Sequence, residues 1–396
     1  MDIKIKSVDN INNIPFDAAH VVDQRDEQAP APAEAVPPVK QVSLFALAAQ
    51  KEMQPLSLSF SRRSMLYDWI NKGNDPKTVT DLVIQDGWSS REISTIPGQE
   101  FRDQDLAFIA ERFTNLRSIK FNCTYYNITD SSMKELKKLP HLTSVWLRET
   151  HKITDAGIYE LALACPQLNT LILEALPGVR GATLEKTLAN LPHLQSLHLL
   201  RSYPHANFPI SWQMLAKALA GSTISHLELS NNFDTGNGPA AIALWHQSFS
   251  MMPNLRSISM NRQEAYQART ILAAAPNLQT LNLWGTPLEA DHELPPSLKT
   301  LDISGYVFNR AAFPGVVQKA SRLPQLETLS ITSNYFPANY SEIDFAKLLT
   351  TDFPALKELR FNDSLRFNDH IDEGLIGLAK KLQSLRNGLK VTLKPV

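Results

Sequence analysis

One short phrase recurs along this chain: an apolar residue, two others, an apolar residue, one other, an apolar residue. Leu116-Arg117-Ser118-Ile119-Lys120-Phe121 is one copy, and Leu142-Thr143-Ser144-Val145-Trp146-Leu147 is the next. Leu168-Asn169-Thr170-Leu171-Ile172-Leu173 and Leu194-Gln195-Ser196-Leu197-His198-Leu199 follow. The leading leucines Leu142, Leu168 and Leu194 are each 26 residues apart. A fixed period of this length marks units that cannot bury their apolar faces alone and must stack on their neighbours. The chain therefore reads as a solenoid, and solenoids usually work as extended binding surfaces.

Later copies keep the phrase and loosen the period. They begin at Ile224, Leu255, Leu278, Leu298, Leu326 and Leu356, and an earlier degenerate copy begins at Val79, giving eleven in all. The spacing is 31 from Ile224 to Leu255 and 20 from Leu278 to Leu298. Such variation belongs in connecting segments, where insertions are tolerated. Each phrase predicts a strand whose apolar residues point into the core and whose intervening residues point out.

Between phrases the spacing of apolar residues changes to that of a helix. Met133 to Leu139, Ile158 to Leu163, Leu184 to Leu191, Trp212 to Leu219, Ala240 to Phe249 and Ala265 to Ala275 fit. The first two follow the steps Ile128-Thr129-Asp130 and Ile153-Thr154-Asp155, where the Thr or Asp can cap a helix N-terminus. Pro287, Pro295 and Pro296 make the connection between Leu283 and Leu298 irregular rather than helical.

The strand phrases, the Ile-Thr-Asp steps and the Cys165-Pro166-x-Leu168 join resemble leucine-rich repeats of the longer, cysteine-containing and ribonuclease-inhibitor-like type. The resemblance covers roughly Lys77 to Val396. It implies an α/β fold: a right-handed solenoid with a parallel concave sheet and convex helices. Of the consensus cysteines only Cys165 is in place, and Asn231, Asn261 and Asn334 mark some copies only. For function the resemblance implies little, because fold does not fix function.

Three segments are expected: a disordered Pro/Ala-rich stretch over 1–42, a helical cap over 43–76, and the solenoid over 77–396. The first carries Pro30, Pro32, Pro37 and Pro38 among Ala and Glu, too little apolar material to order itself. It reads as a flexible tail or as the polar leader of a bacterial secreted effector, since effectors with leucine-rich repeats resemble this arrangement. The second segment predicts helices over Ser43 to Met53 and Ser61 to Asn71, which would cover the open end of the core. A divergent F-box-like adaptor is the alternative for this piece, making the chain a substrate-recognition subunit of a ubiquitin ligase. The segment lacks that module's leading Leu-Pro step.

Charge and chemistry narrow the function further. The net charge is -1, so no overall field favours nucleic acid or an acidic membrane. No apolar stretch is long enough to span a bilayer, and Met1-Asp2-Ile3-Lys4-Ile5-Lys6 lacks the apolar block of a secretory signal. The expected location is the cytoplasm, or a host cell reached by a leaderless route. Two cysteines, Cys123 and Cys165, make no disulfide framework. No histidine pair has metal-ligand spacing, and no Gly-rich phosphate loop is present. The expectation is a protein without catalysis, cofactor or metal, whose partner is another protein.

The working residues should then stand in the outward columns of the strands. One column runs Val83, Lys120, Trp146, Ile172, His198, Glu228, Ser259, Asn282, Asp302, Ser330 and Arg360. The next includes Gln85, Asn122, Arg148, Glu174, Leu200, Ser230, Asn261 and Trp284. Trp146, Ile172, His198 and Leu200 fall on consecutive strands, about 4.8 Å apart. Arg148, Glu149, Glu174 and Arg201 rim them. An apolar centre with a charged rim is the anatomy of a protein-binding hot spot. Trp284, with Tyr306, Tyr335, Phe336 and Arg360, forms a candidate second patch.

Overall fold

The computed structural model describes residues 56–85, 99–122, 127–200, 210–230, 234–261, 265–286, 288–289, 292–304, 313–332, 352–363 and 373–395. The expected tail over 1–42 and the expected helix Ser43 to Met53 lie outside these residues, as do Cys123, Arg201, Tyr306, Tyr335 and Phe336.

Among the described residues, thirteen strands form one parallel sheet in strict chain order. They are β1 (Leu56–Phe60), β2 (Val79–Gln85), β3 (Ser118–Asn122), β4 (Ser144–Arg148), β5 (Thr170–Glu174), β6 (Ser196–Leu200) and β7 (His226–Ser230). There follow β8 (Ser257–Ser259), β9 (Thr280–Asn282), β10 (Thr300–Asp302), β11 (Thr328–Thr332), β12 (Glu358–Asp363) and β13 (Lys390–Pro395). Parallel neighbours need a crossover, and here helices supply most of them. These are α1 (Arg63–Asn71), α2 (Asp103–Arg112), α3 (Asp130–Met133, continued as a 3-10 turn to Lys138), α4 (Asp155–Ala164) and α5 (Leu184–Ala189). Then come α6 (Trp212–Leu219), α7 (Gly238–Ser250), α8 (Ala265–Ala274), α9 (Phe313–Ser321) and α10 (Glu373–Leu385).

Successive helices pack on one another in chain order. Packed helices need roughly 8–10 Å between axes, whereas strands need about 4.8 Å. Stacked repeats must therefore curve toward the sheet, which becomes the concave layer. The fold is the leucine-rich-repeat solenoid that the sequence implies. No helix connects Thr286 to Leu298 among the described residues, as the prolines there predict.

The strands pair without slippage from β2 to β12, so the inward residues form continuous columns. One is Leu82, Ile119, Val145, Leu171, Leu197 and Leu227. All six are essentially solvent-free. Cys165 is buried, and burial pushes its thiol up to about 12. It is a small core hydrophobe with no nucleophilic character.

The start of the chain departs from expectation. The segment read as a helical cap contains a strand: β1 pairs with β2 and extends the sheet to Leu56. Leu56-Ser57-Leu58-Ser59-Phe60 alternates apolar and polar residues, which is a strand pattern, but it lacks the spaced leading apolar residue of the repeat. Among the described residues of the segment, α1 matches the expected helix Ser61 to Asn71. Its Trp69 ring lies 6.2 Å from Phe60 edge-on and 6.0 Å from Phe113 in a stack, closing the first end of the core. Beside it Asp105 is fully buried and accepts from Arg63 Nε at 2.6 Å, Tyr67 Oη at 2.7 Å and the Arg102 N–H at 3.0 Å.

The Ile-Thr-Asp steps divide their labour. Thr129 and Thr154 cap their own helices, accepting from the N–H of Ser131 and Ala156. Their aspartates, and Asp103 of the Phe101-Arg102-Asp103 step before them, reach forward into the next repeat. Asp103 accepts from the N–H and hydroxyl of Thr129 at 2.7 and 2.6 Å. Asp130 does the same for Thr154, again at 2.7 and 2.6 Å. Asp155 accepts from the N–H groups of Arg180 and Gly181 at 3.1 and 2.8 Å. A chain of carboxylate latches thus ties consecutive helix starts together.

Gly157 leaves room for one latch. A methyl group on its Cα would lie 2.1 Å from Asp130 Oδ1. Helix propensity alone says Gly157→Ala should stabilise by about 1 kcal/mol. The contact reverses the sign, and a net loss of about 1–3 kcal/mol is expected from the forced shift. A chemical-denaturation midpoint that rises for Gly157→Ala would refute the latch geometry.

Candidate functional site

The open face of the sheet carries the outward columns in register. Lys120, Trp146, Ile172, His198 and Glu228 are direct neighbours on β3 to β7. Asn122, Arg148, Glu174 and Leu200 are neighbours in the adjacent column. The expected patch is therefore assembled by the fold, with Arg201 outside the described residues. Trp284 does not join it. It follows β9, five strand spacings from β4, which is about 24 Å. Its N–H donates to Asn282 Oδ1 at 3.0 Å.

The patch is more tightly built than a row of solvent-facing side chains. Trp146, Ile172, His198 and Leu200 are all half-buried. The Lys120 ammonium sits 3.2 Å from the centre of the Trp146 ring, a cation–π contact. The indole Nε1 donates to Glu174 Oε2 at 3.1 Å, and Arg148 Nε lies 3.2 Å from Glu174 Oε1. The second approach is an ion pair without a directed hydrogen bond, because the buried Nε–H is not aimed at an acceptor. Arg148 Nε is also 3.6 Å from Glu149.

These contacts set the charges. Burial raises the Glu174 carboxyl above its ordinary value, while Arg148 and the indole N–H pull it back. Burial pushes the Lys120 ammonium down to about 8, with Glu174 opposing and Arg148 adding to the shift. The indole face favours the charged lysine and so also opposes burial.

A second cluster adjoins the first. His198 Nδ1 is 2.6 Å from Glu228 Oε2, and its Nε2 is 3.1 Å from Ser196 Oγ. A ring protonated on Nδ1 satisfies both, donating to the carboxylate and accepting from the hydroxyl. Asn261 Nδ2 donates to Glu228 Oε1 at 2.8 Å. At the far end of the sheet Glu358 is held down to about 2, first by Arg360 at 2.7 Å, with Lys390 and Thr392 also donating. Between them Ser330 is buried, so it belongs to the sheet rather than to its working surface.

Several participants were not singled out from the sequence. Lys120, Ser196 and Glu228 each complete a contact to a residue that was, and Asn261 in turn holds Glu228. The signal for Lys120 was available: a lysine in the same column as a tryptophan, one strand away. Among the described residues no group of three or more His, Cys, Asp or Glu could hold a metal. None of the described helices is long and apolar enough to cross a membrane.

No protein-family profile matches the sequence, and no curated protein matches it. Solved structures do. Rad7, in its complex with Elc1 from yeast, is 14% identical, with a TM-score of 0.44 over 88% of this chain and 92% of that one. The leucine-rich repeat-containing protein LegL7 from Legionella pneumophila is 18% identical, with a TM-score of 0.33 over 55% of this chain and 79% of that one. TLR13 in complex with ssRNA13 is 19% identical, with a TM-score of 0.31 over 73% of this chain and 47% of that one.

Proposed function

We propose that this solenoid binds another protein on the face formed by β4 to β6, without catalysis of its own. The observation that carries the reading is the strip Trp146, Ile172 and Leu200, set on a sheet and edged by the Arg148–Glu174 pair and by Lys120 over the indole. Rigid aromatic and aliphatic side chains lose little entropy on binding. Charged neighbours fixed in ion pairs give a polar rim. The setting we favour is a bacterial effector acting on a host protein. Its support is the Pro/Ala-rich stretch from Asp23 to Val42 ahead of the repeats.

Trp146→Ala is expected to weaken partner binding by about 2 kcal/mol, roughly thirtyfold. The same change removes the Lys120 and Glu174 contacts within the face, so a stability loss of about 1 kcal/mol is expected alongside. Arg148→Ala should act on association rate and salt dependence. Thr300→Ala, on β10 of the same face, should leave binding unchanged. A host-lysate capture supplies the partner, and titration of the folded variants supplies the numbers. Parent-like binding by both Trp146→Ala and Leu200→Ala would overturn the reading. Recovery of ligase-adaptor subunits in the capture would overturn the effector setting alone.

A further inference from the structure

The hydrogen-bonding capacity left over in the Trp146 cluster is one-sided. Both Glu174 oxygens are engaged, one by the indole N–H and one by Arg148. Arg148 meets Glu174 and Glu149 through Nε, and among the described residues its two terminal nitrogens make no hydrogen bond. The Lys120 ammonium lies over the indole and has no carboxylate within ion-pair distance among the described residues. Lys120 and Arg148 stand one strand apart and two residues offset along the sheet, a diagonal of about 8 Å. A single carboxylate above the edge of Trp146 can reach both. Beside it, Ile172 and Leu200 offer only apolar contact.

From this arrangement we propose that the partner presents an acidic side chain, Asp or Glu, to Lys120 and Arg148, with an adjacent apolar side chain seated on Ile172 and Leu200. This rests on the protein-binding reading and names the chemistry it would recognise. A carboxylate fits better than a nucleic-acid backbone. A phosphate strand needs a track of cations. Here the column runs from Lys120 through His198 to Glu228 and Asp302, turning acidic within a few strands. A bound carboxylate would also favour the charged form of Lys120, which burial alone disfavours.

The test is selection of random twelve-residue peptides on the full chain, followed by titration of a recovered peptide. The expected set is rich in Asp or Glu next to Leu, Ile or Phe. A double variant, Lys120→Gln with Arg148→Gln, should bind the recovered peptide at least tenfold more weakly. Changing the peptide's acidic residue to its amide should cost the parent the same factor and the double variant nothing. Circular dichroism and the denaturation midpoint confirm that the variants are folded. Recovery of neutral or basic peptides, an empty selection, or equal losses in parent and double variant would overturn the inference. So would tight binding of a thymidine oligonucleotide that the double variant loses, which would assign the two cations to phosphate. Peptides that need Trp146 but carry no acid would defeat this inference and leave the protein-binding face standing. Peptides indifferent to Trp146→Ala would defeat the face itself.

Discussion

Asp105→Ala is expected to cost about 3–5 kcal/mol, the largest loss of any polar substitution considered, because it breaks a buried ion pair from one side. The carboxylate is fully buried and serves three donors at once: Arg63, Tyr67 and the Arg102 N–H. Its removal leaves the phenol without its acceptor and strips the start of α2 of its reach-back cap. Asp105→Asn keeps the size and one acceptor and should cost less, about 1–3 kcal/mol. In a solenoid each repeat leans only on its neighbours, so the damage should be local. Amide hydrogen exchange reads it directly: amides of α1 and β1 should exchange faster by two to three orders of magnitude, while those of β5 and β6 stay protected. Unchanged exchange in α1 would mean that Trp69 stacking alone holds the first repeat, and the ion-pair account would fall.

Leu171→Ala strikes the middle of the stack. Leu171 is solvent-free and sits in register between Val145 and Leu197, so its side chain serves two interfaces. Truncation should cost about 2–5 kcal/mol, the transfer term plus a cavity that a packed column closes poorly. Leu171→Asp should prevent the central repeats from folding, since a carboxylate there has no partner. Equilibrium denaturation measures both. A loss under about 1 kcal/mol for the alanine variant would be incompatible with an inward Leu171, because a one-residue slip in register flips every side chain.

The repeated phrase specified the register completely, because alternation leaves no freedom once the apolar face is buried. The outward column from Val83 to Arg360 reappears as a row of paired neighbours from β2 to β12. The column that starts at Gln85 is paired as far as Ser230 on β7, and its Asn261 and Trp284 stand just past the ends of β8 and β9. What escaped is where the pattern is shortened. β1 has the alternation without the leading apolar residue. β13, Lys390 to Pro395, has the last two apolar positions, Val391 and Leu393, but Gly388 stands where the leading apolar residue would be. Helices α2, α9 and α10 were not expected either, because the connections, unlike the phrases, keep no fixed spacing. For the candidate site the sequence placed Trp146, Ile172, His198 and Leu200 together but could not show their pairing. That depends on side-chain reach across strands: Lys120 over the indole, Glu174 beneath it, Glu228 beside the imidazole. A rim residue is also a partner of the centre, and only rotamers distinguish the two roles.

The carboxylate latches carry a consequence for how this chain can be cut and spliced. Each latch joins the aspartate of one helix start to the next helix start, across 26, 24 and 26 residues. They bridge the stretch where the period is regular and end at Gly181. Beyond it the spacing wanders between 20 and 31 residues. Because the Thr-Asp step straddles the joint, removing residues 130–154 would bring Thr129 directly against Asp155 and regenerate the step. Asp103 would still hold Thr129, and Asp155 would still hold Gly181. One whole strand and helix would leave while both remaining joints kept their partners. The regular part of the array is thus written in excisable units, and a solenoid of different length, with Lys120 brought beside Ile172, is one in-phase deletion away.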